Sequence, residues 1–163
     1  MKKIALFASG NGTNVQNIIE YFKDNKQIKV ELVVVNKKDA YARQRARQLG
    51  VDDIYFNRDD FYNSNNILEE LNKRGVCFIV LAGFLWLIPQ NLIDSFPNKI
   101  INIHPALLPK YGGKGMYGHN VHQAVINNKE TQSGITIHYV NNHYDKGRII
   151  FQAFCDVEKE DTV

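Results

Sequence analysis

Lys3-Ile4-Ala5-Leu6-Phe7-Ala8-Ser9-Gly10-Asn11-Gly12-Thr13 decides the fold. The apolar run Lys3–Ala8 reads as a buried strand, and Ser9–Gly12 as a tight glycine-rich turn. A helix is expected from about Thr13 to Lys23, because Val15, Ile18, Ile19 and Phe22 recur at the helical period. A strand that feeds straight into a helix begins a βα unit, and the chain downstream repeats the pattern. Val30–Val35 is a second strand, and Ala42, Ala46 and Leu49 mark a helix closed by Gly50. Asp53–Phe56 is a weaker strand, and Ile67, Leu68 and Leu71 carry a helix ending at Gly75. Cys77–Ala82 and Lys99–Ile103 are further strands, separated by a short helical stretch from about Pro89. Successive βα units imply an α/β fold with a doubly wound, mostly parallel sheet and helices on both faces.

Beyond residue 104 the pattern changes. His104 to Gly118 is a loop rich in Pro and Gly, followed by a short helix near Asn120–Ile126. Ser133–Val140 and Arg148–Val157 face each other across Asn141–Gly147, so a C-terminal antiparallel hairpin is expected on the sheet. Glu158–Thr162 offers helix-start residues, with Asp161 or Thr162 as caps, just before Val163. This pattern leads to the expectation of a single domain over 1–163 that lacks its C-terminal helix.

Composition narrows the function classes. A chain of 163 residues buries about 68–70% of its unfolded surface, enough for one core. A formal charge of +3 gives no argument for a nucleic-acid partner, and Arg43, Arg45 and Arg47 read as a solvated helix face. Cys77 and Cys155 form no CxxC pair, which favours a reduced, cytoplasmic setting. No segment reaches the ~20 apolar residues of a membrane span.

The turn after the first strand is a candidate phosphate site, since glycines allow close backbone approach and a helix N-terminus presents free N–H groups to an anion. Val15 stands where a dinucleotide fingerprint needs a third glycine, and no Gly-Lys-Ser/Thr follows. One phosphate therefore fits better than a dinucleotide; a plain βα turn capped by Thr13 is the other reading. Ile101-Asn102-Ile103-His104-Pro105 ends a strand at the sheet's carboxyl edge. Alternation puts Asn102 and His104 on one side, where an amide and an imidazole can meet one developing oxyanion. The competing reading makes His104 a strand-end cap. Asp145, in the connection before Gly147, is either a turn residue or the carboxylate that orients His104 and favours its protonated form. His119 and His122 lack a third ligand, so no metal site is expected. His138 shares a strand face with Thr136 and reads as structural or as a neighbour of the site, and Trp86 reads first as core.

Five segments together resemble the phosphoribosylglycinamide formyltransferases, folate-dependent enzymes of the purine pathway. They are Ala8–Asn14, Asn36-Lys37-Lys38-Asp39-Ala40, Leu81-Ala82-Gly83-Phe84, Asn102–Tyr111, and Gly134–His138 leading to Asp145. The resemblance spans essentially the whole chain and implies a Rossmann-like formyltransferase fold. It implies that Asn102, His104 and Asp145 are the catalytic trio, and that Gly12, Thr13 and Asn14 hold the phosphate of the glycinamide ribonucleotide. It further implies that Leu85, Trp86, Leu87 and Ile88, with Asn102, Asn141, Asn142, His143, Tyr144 and Asp145, line the folate pocket. The implied co-substrate is 10-formyltetrahydrofolate and no metal is required. Small molecules are the implied partners, with neither nucleic acid nor membrane, and the protein would be a monomer or homodimer.

The sequence also departs from this family. Trp86 stands where many relatives carry Arg, Ser64 replaces an Arg that meets the folate glutamate tail in some members, and Gly112–Gly118 is longer than in some relatives. Many relatives continue beyond the Asp161–Val163 region into a helix that helps bind the ribonucleotide. Two related activities compete. Formyltetrahydrofolate deformylase shares the Asn, His and Asp but normally carries a domain before the first strand. Methionyl-tRNA formyltransferase needs a basic C-terminal domain. A non-catalytic nucleotide-binding module is the alternative outside enzymes. His104→Ala is expected to cut turnover by orders of magnitude while barely altering thermal stability.

Overall fold

The computed structural model describes residues 1–163. Its elements run β1 (Lys2–Ala8), α1 (Thr13–Phe22), β2 (Ile28–Val35), α2 (Tyr41–Gln48), β3 (Asp52–Tyr55), α3 (Arg58–Asn63) and α4 (Asn66–Lys73). They continue with β4 (Val76–Leu81), α5 (Gln90–Ser95), β5 (Ile100–His104), α6 (His119–Asn127), β6 (Gln132–Tyr139) and β7 (Ile149–Asp156). One seven-stranded sheet has the order β3-β2-β1-β4-β5-β6-β7. β1 to β5 pair in parallel, while β5–β6 and β6–β7 are antiparallel, as the alternation of apolar runs and the late hairpin predict.

Two apolar layers flank the sheet. Ala5, Phe7, Leu32, Val34, Ile79, Leu81 and Ile100 face α3, α4 and α5 through Phe61, Ile67, Leu71 and Leu92. Ile4, Leu6, Val33, Val35 and Val80 face α1 and α2 through Val15, Ile19, Ala42 and Ala46, with Ile101 and Ile103 against the same layer. Burying such side chains supplies roughly 1.5–3 kcal/mol each, which fixes the register of every strand that has two covered faces. β7 is different, since Ile149, Ile150, Phe151 and Phe154 are exposed on this edge strand.

Helix α3 is additional to the elements read from the sequence. Asn57 caps it, its Oδ1 accepting from the Asp60 N–H at 2.9 Å, and Asp59 and Asp60 sit in the favourable first turn. The arginines of α2 are also more than a solvated face. Arg43 and Arg47 both bond the Asp53 carboxylate, whose side chain is 3% exposed, and Arg45 donates to the Asn11 carbonyl at 2.9 Å.

The sheet order places a crevice. The chain winds from β1 outward to β3 and then returns to β4 on the other side, so the strand order reverses between β1 and β4. Ligands of open α/β sheets bind at the carboxyl ends of strands beside such a point. Here those ends carry the Ser9–Gly12 turn, the Gly83–Ile88 segment and, one strand along, His104.

Candidate active site

The turn after β1 is built for close approach. Gly12 has φ +76°, and a Cβ there would lie 2.6 Å from Ala42 Cα and Cβ, so only glycine fits between α1 and α2. It is Gly12, in the left-handed region, that takes the N-cap position, with Thr13 the first helical residue. No side chain caps α1 and no acidic residue lies in its first turn, which leaves the end of the helix available to an anion. Arg45 braces the turn by donating to both the carbonyl and the side-chain oxygen of Asn11. Ser9, 1% exposed, joins it to the next segment: its N–H donates to the Gly83 carbonyl at 3.0 Å and its Oγ accepts from the Leu85 N–H at 2.9 Å.

Leu85, Trp86 and Leu87 are half-buried, whereas Ile88 is buried among the core side chains. The ring of Trp86 packs against Phe61, Tyr62 and Phe84 with centroid distances of 5.4, 6.0 and 6.2 Å. Arg58 lies across this wall, 5.0 Å from the Tyr62 centroid and 5.7 Å from that of Trp86. Tyr62 donates its hydroxyl to the Leu87 carbonyl at 2.9 Å, and burial, reinforced by Tyr144, pushes its phenol pKa up. Asn142, His143 and Tyr144 are exposed, and Asn141 Oδ1 accepts from the His143 N–H at 3.0 Å to fold the connection.

Asn102, His104 and Asp145 converge. Asn102 and His104 stand on one face of β5, opposite Ile101 and Ile103, as alternation requires. The connection after β6 folds back over that face and sets Asp145 there with φ +54°. Asp145 Oδ1 lies 3.3 Å from Asn102 Nδ2, 3.5 Å from His104 Nδ1 and 3.4 Å from His138 Nε2. Its Oδ2 accepts from the Gly113 N–H at 2.9 Å. Burial alone pushes the Asp145 carboxyl up. The His138 side chain, the Gly113 N–H and the charges of His104 and His138 outweigh it and hold the pKa below the usual carboxylate value.

His104 is only 3% exposed. Its Nε2 lies 2.7 Å from the Tyr111 carbonyl, an acceptor with no proton to give, so Nε2 must be the N–H. The other nitrogen, Nδ1, faces Asp145. The loop carrying Tyr111 is pinned in turn by Thr136, whose Oγ1 donates to the Ala106 carbonyl at 2.6 Å and accepts from the Leu108 N–H at 3.0 Å. Glu130 holds the Tyr111 hydroxyl at 2.8 Å and the Lys110 Nζ at 2.9 Å. Tyr111, Gly113 and Thr136 are thus parts of the cluster's surroundings that the sequence left unassigned, and His138, one of whose two readings was a neighbour of the site, joins them. No group of three or more His, Cys, Asp or Glu side chains is arranged to hold a metal ion. No helix is long and apolar enough to cross a membrane.

A glycine-bound helix N-terminus, an apolar segment and a part-buried Asn-His-Asp cluster meet at one edge of the sheet. The sequence pattern of the family described as formyl transferase matches residues 2–163, and the chain belongs to that family. The chain is 44% identical over 167 residues to the chloroplastic phosphoribosylglycinamide formyltransferase of Arabidopsis thaliana, covering 99% of this chain and 57% of that protein. It is 38% identical to the phosphoribosylglycinamide formyltransferase of Haemophilus influenzae, covering all of this chain and 77% of that one. Among solved structures, glycinamide ribonucleotide transformylase 1 from Symbiobacterium toebii superposes with a TM-score of 0.88 at 33% identity. That match covers 99% of this chain and 76% of the other. The chain therefore spans little more than half the length of the Arabidopsis relative.

Proposed function

We propose that the protein transfers the formyl group of 10-formyltetrahydrofolate to the amine of 5′-phosphoribosylglycinamide in purine biosynthesis. The products would be the formylated ribonucleotide and tetrahydrofolate. The observation that carries this reading is the convergence of Asn102, His104 and Asp145 on one face of β5, beside an uncapped glycine-bound helix N-terminus. The relatives named above, two called phosphoribosylglycinamide formyltransferase and one glycinamide ribonucleotide transformylase, support it.

In this reading Gly12, Thr13 and Asn14 hold the ribonucleotide phosphate, where backbone N–H groups and the helix dipole favour negative charge. Leu85, Trp86 and Leu87, with the Asn141–Asp145 connection, receive the folate. Ile88, its side chain buried in the core, anchors that segment. The folate supplies an activated formyl group. The amine nitrogen bonds to the formyl carbon, the carbon–nitrogen bond to the folate breaks, the amine gives up a proton and the folate nitrogen gains one. Negative charge grows on the formyl oxygen meanwhile. A protonated His104, fixed in the ring by Tyr111 and directing Nδ1 toward the cluster, would stabilise that charge together with Asn102. In this reading Asp145 stays ionised at neutral pH and accepts the amine proton through water.

The same reading places the chain in the cytoplasm, with small molecules as its partners. Incubation with both substrates tests it: tetrahydrofolate should accumulate only when the ribonucleotide is present. Turnover that ignores the ribonucleotide would instead identify a deformylase.

A further inference from the structure

The Asn102 amide contacts a residue outside the trio, His138. His138 is directly opposite Asn102 in the antiparallel β5–β6 pair, and it is 2% exposed. Its Nδ1 lies 2.8 Å from the Tyr139 carbonyl, so Nδ1 carries a hydrogen. In the neutral ring Nε2 is then a bare acceptor. Asn102 Nδ2 is 3.1 Å from it and 3.3 Å from Asp145 Oδ1, so one NH2 group serves two acceptors. Both amide hydrogens point inward, and the amide oxygen is left facing the crevice. It has no protein partner, and it is not among the side-chain oxygens sealed from solvent.

Turning the amide round would set its oxygen against Asp145 Oδ1 and against a nitrogen that has no hydrogen. Asp145 and neutral His138 both forbid that. A second proton, on Nε2, reverses the balance: Nε2–H then donates to the amide oxygen and to Asp145 Oδ1, 3.4 Å away, and the positive ring offsets the meeting of those two oxygens. The amide NH2 is released toward the crevice, where negative charge develops on the formyl oxygen.

We propose that His138 is the positioning residue of Asn102, holding the amide hydrogens inward when neutral and turning them toward the substrate when it carries a second proton on Nε2. The proposal rests on the transfer reading for the identity of the oxygen that the amide meets. The groups around His138 are few. Asp145 faces Nε2 directly, and His104 lies across Asp145 on the neighbouring strand. Arg148 sits over the Tyr139 ring, 4.8 Å from its centroid. Asn102 contributes no charge of its own.

Nitrogen-15 NMR of the substrate-free protein tests the geometry without any turnover. At high pH His138 should show hydrogen on Nδ1 and none on Nε2. The side-chain NH2 signals of Asn102 should shift with the same midpoint as the His138 ring, and lose that dependence in His138→Gln. An Nε2–H tautomer in the neutral ring, or Asn102 signals indifferent to His138, would overturn the proposal. Kinetics supply the second arm. In His138→Gln, kcat should fall by about 10²-fold, the usual effect of losing one donor at a developing oxyanion, with KM for both substrates little changed. The decline of kcat as pH rises through the His138 midpoint should vanish with it. An unchanged pH profile would contradict the proposal. Formyl release to water would sink the transfer reading and leave the NMR result standing, so the two failures are distinct.

Discussion

His104 Nδ1 and Asp145 Oδ1 lie 3.5 Å apart, brought together because the connection after β6 folds back over the polar face of β5. The contact is long for a hydrogen bond, and Asp145 Oδ1 has two further long neighbours. Oδ2, by contrast, is firmly held by Gly113. Loose contacts around one oxygen can tighten when substrate arrives, as catalytic hydrogen bonds commonly do.

His104→Ala should lower kcat/KM by ~10²–10³, the effect of losing one oxyanion donor. Burial changes the stability expectation drawn from the sequence alone. The substitution leaves the Tyr111 carbonyl without its donor and should cost about 1–3 kcal/mol. Thermal melts beside initial rates check both, and a variant as active as the parent would refute the assigned role.

Asp145→Asn probes linkage. The folded-state pKa of Asp145 is depressed, so its ionised form contributes stability above the unfolded value of about 3.9. That contribution is lost as pH falls through the lower folded value. The stability gap between parent and Asp145→Asn should be steady at neutral pH and shrink at acid pH. Melts between neutral and acid pH measure it; a gap that widens on acidification would contradict the assignment.

Gly12→Ala should destabilise the fold by more than about 1 kcal/mol, the cost of left-handed backbone for a residue with a Cβ. The added methyl also meets Ala42 at 2.6 Å. The same displacement of the turn should raise KM for the ribonucleotide far more than KM for the folate. Equal changes in both constants would argue against a phosphate role for this turn.

Arg58→Ala should weaken folates bearing extra glutamates more than the monoglutamate. Its guanidinium lies over the Tyr62–Trp86 wall, while Ser64 has its hydroxyl bonded to the Asp60 carbonyl at 2.7 Å. KM measured across a glutamate series, at low and high salt, reads the effect. An identical loss at every tail length would show that Arg58 acts only by packing.

Much of this architecture was legible from the chain. Apolar runs punctuated by Gly50 and Gly75 set the order of elements, and alternation in Ile101–His104 set which side chains share a face. Helix α3 escaped because Asn57, Asp59 and Asp60 are short-range cap signals with no apolar repeat beside them. Tyr111 and Gly113 escaped for another reason: they act through backbone atoms, which residue type does not encode. The pairing of His138 with Asn102 depends on register across an antiparallel pair, visible only once β5 and β6 are aligned. The Arg43–Asp53–Arg47 cluster likewise joins residues that sequence spacing alone assigns to a solvent face.

Following a 13C-labelled formyl group by NMR, from 10-formyltetrahydrofolate in the presence of 5′-phosphoribosylglycinamide, tests the central claim most directly. The account predicts that the label appears as an amide on the ribonucleotide, that formate stays at background, and that transfer stops without the ribonucleotide. Label recovered as formate at the same rate with or without the ribonucleotide would contradict it.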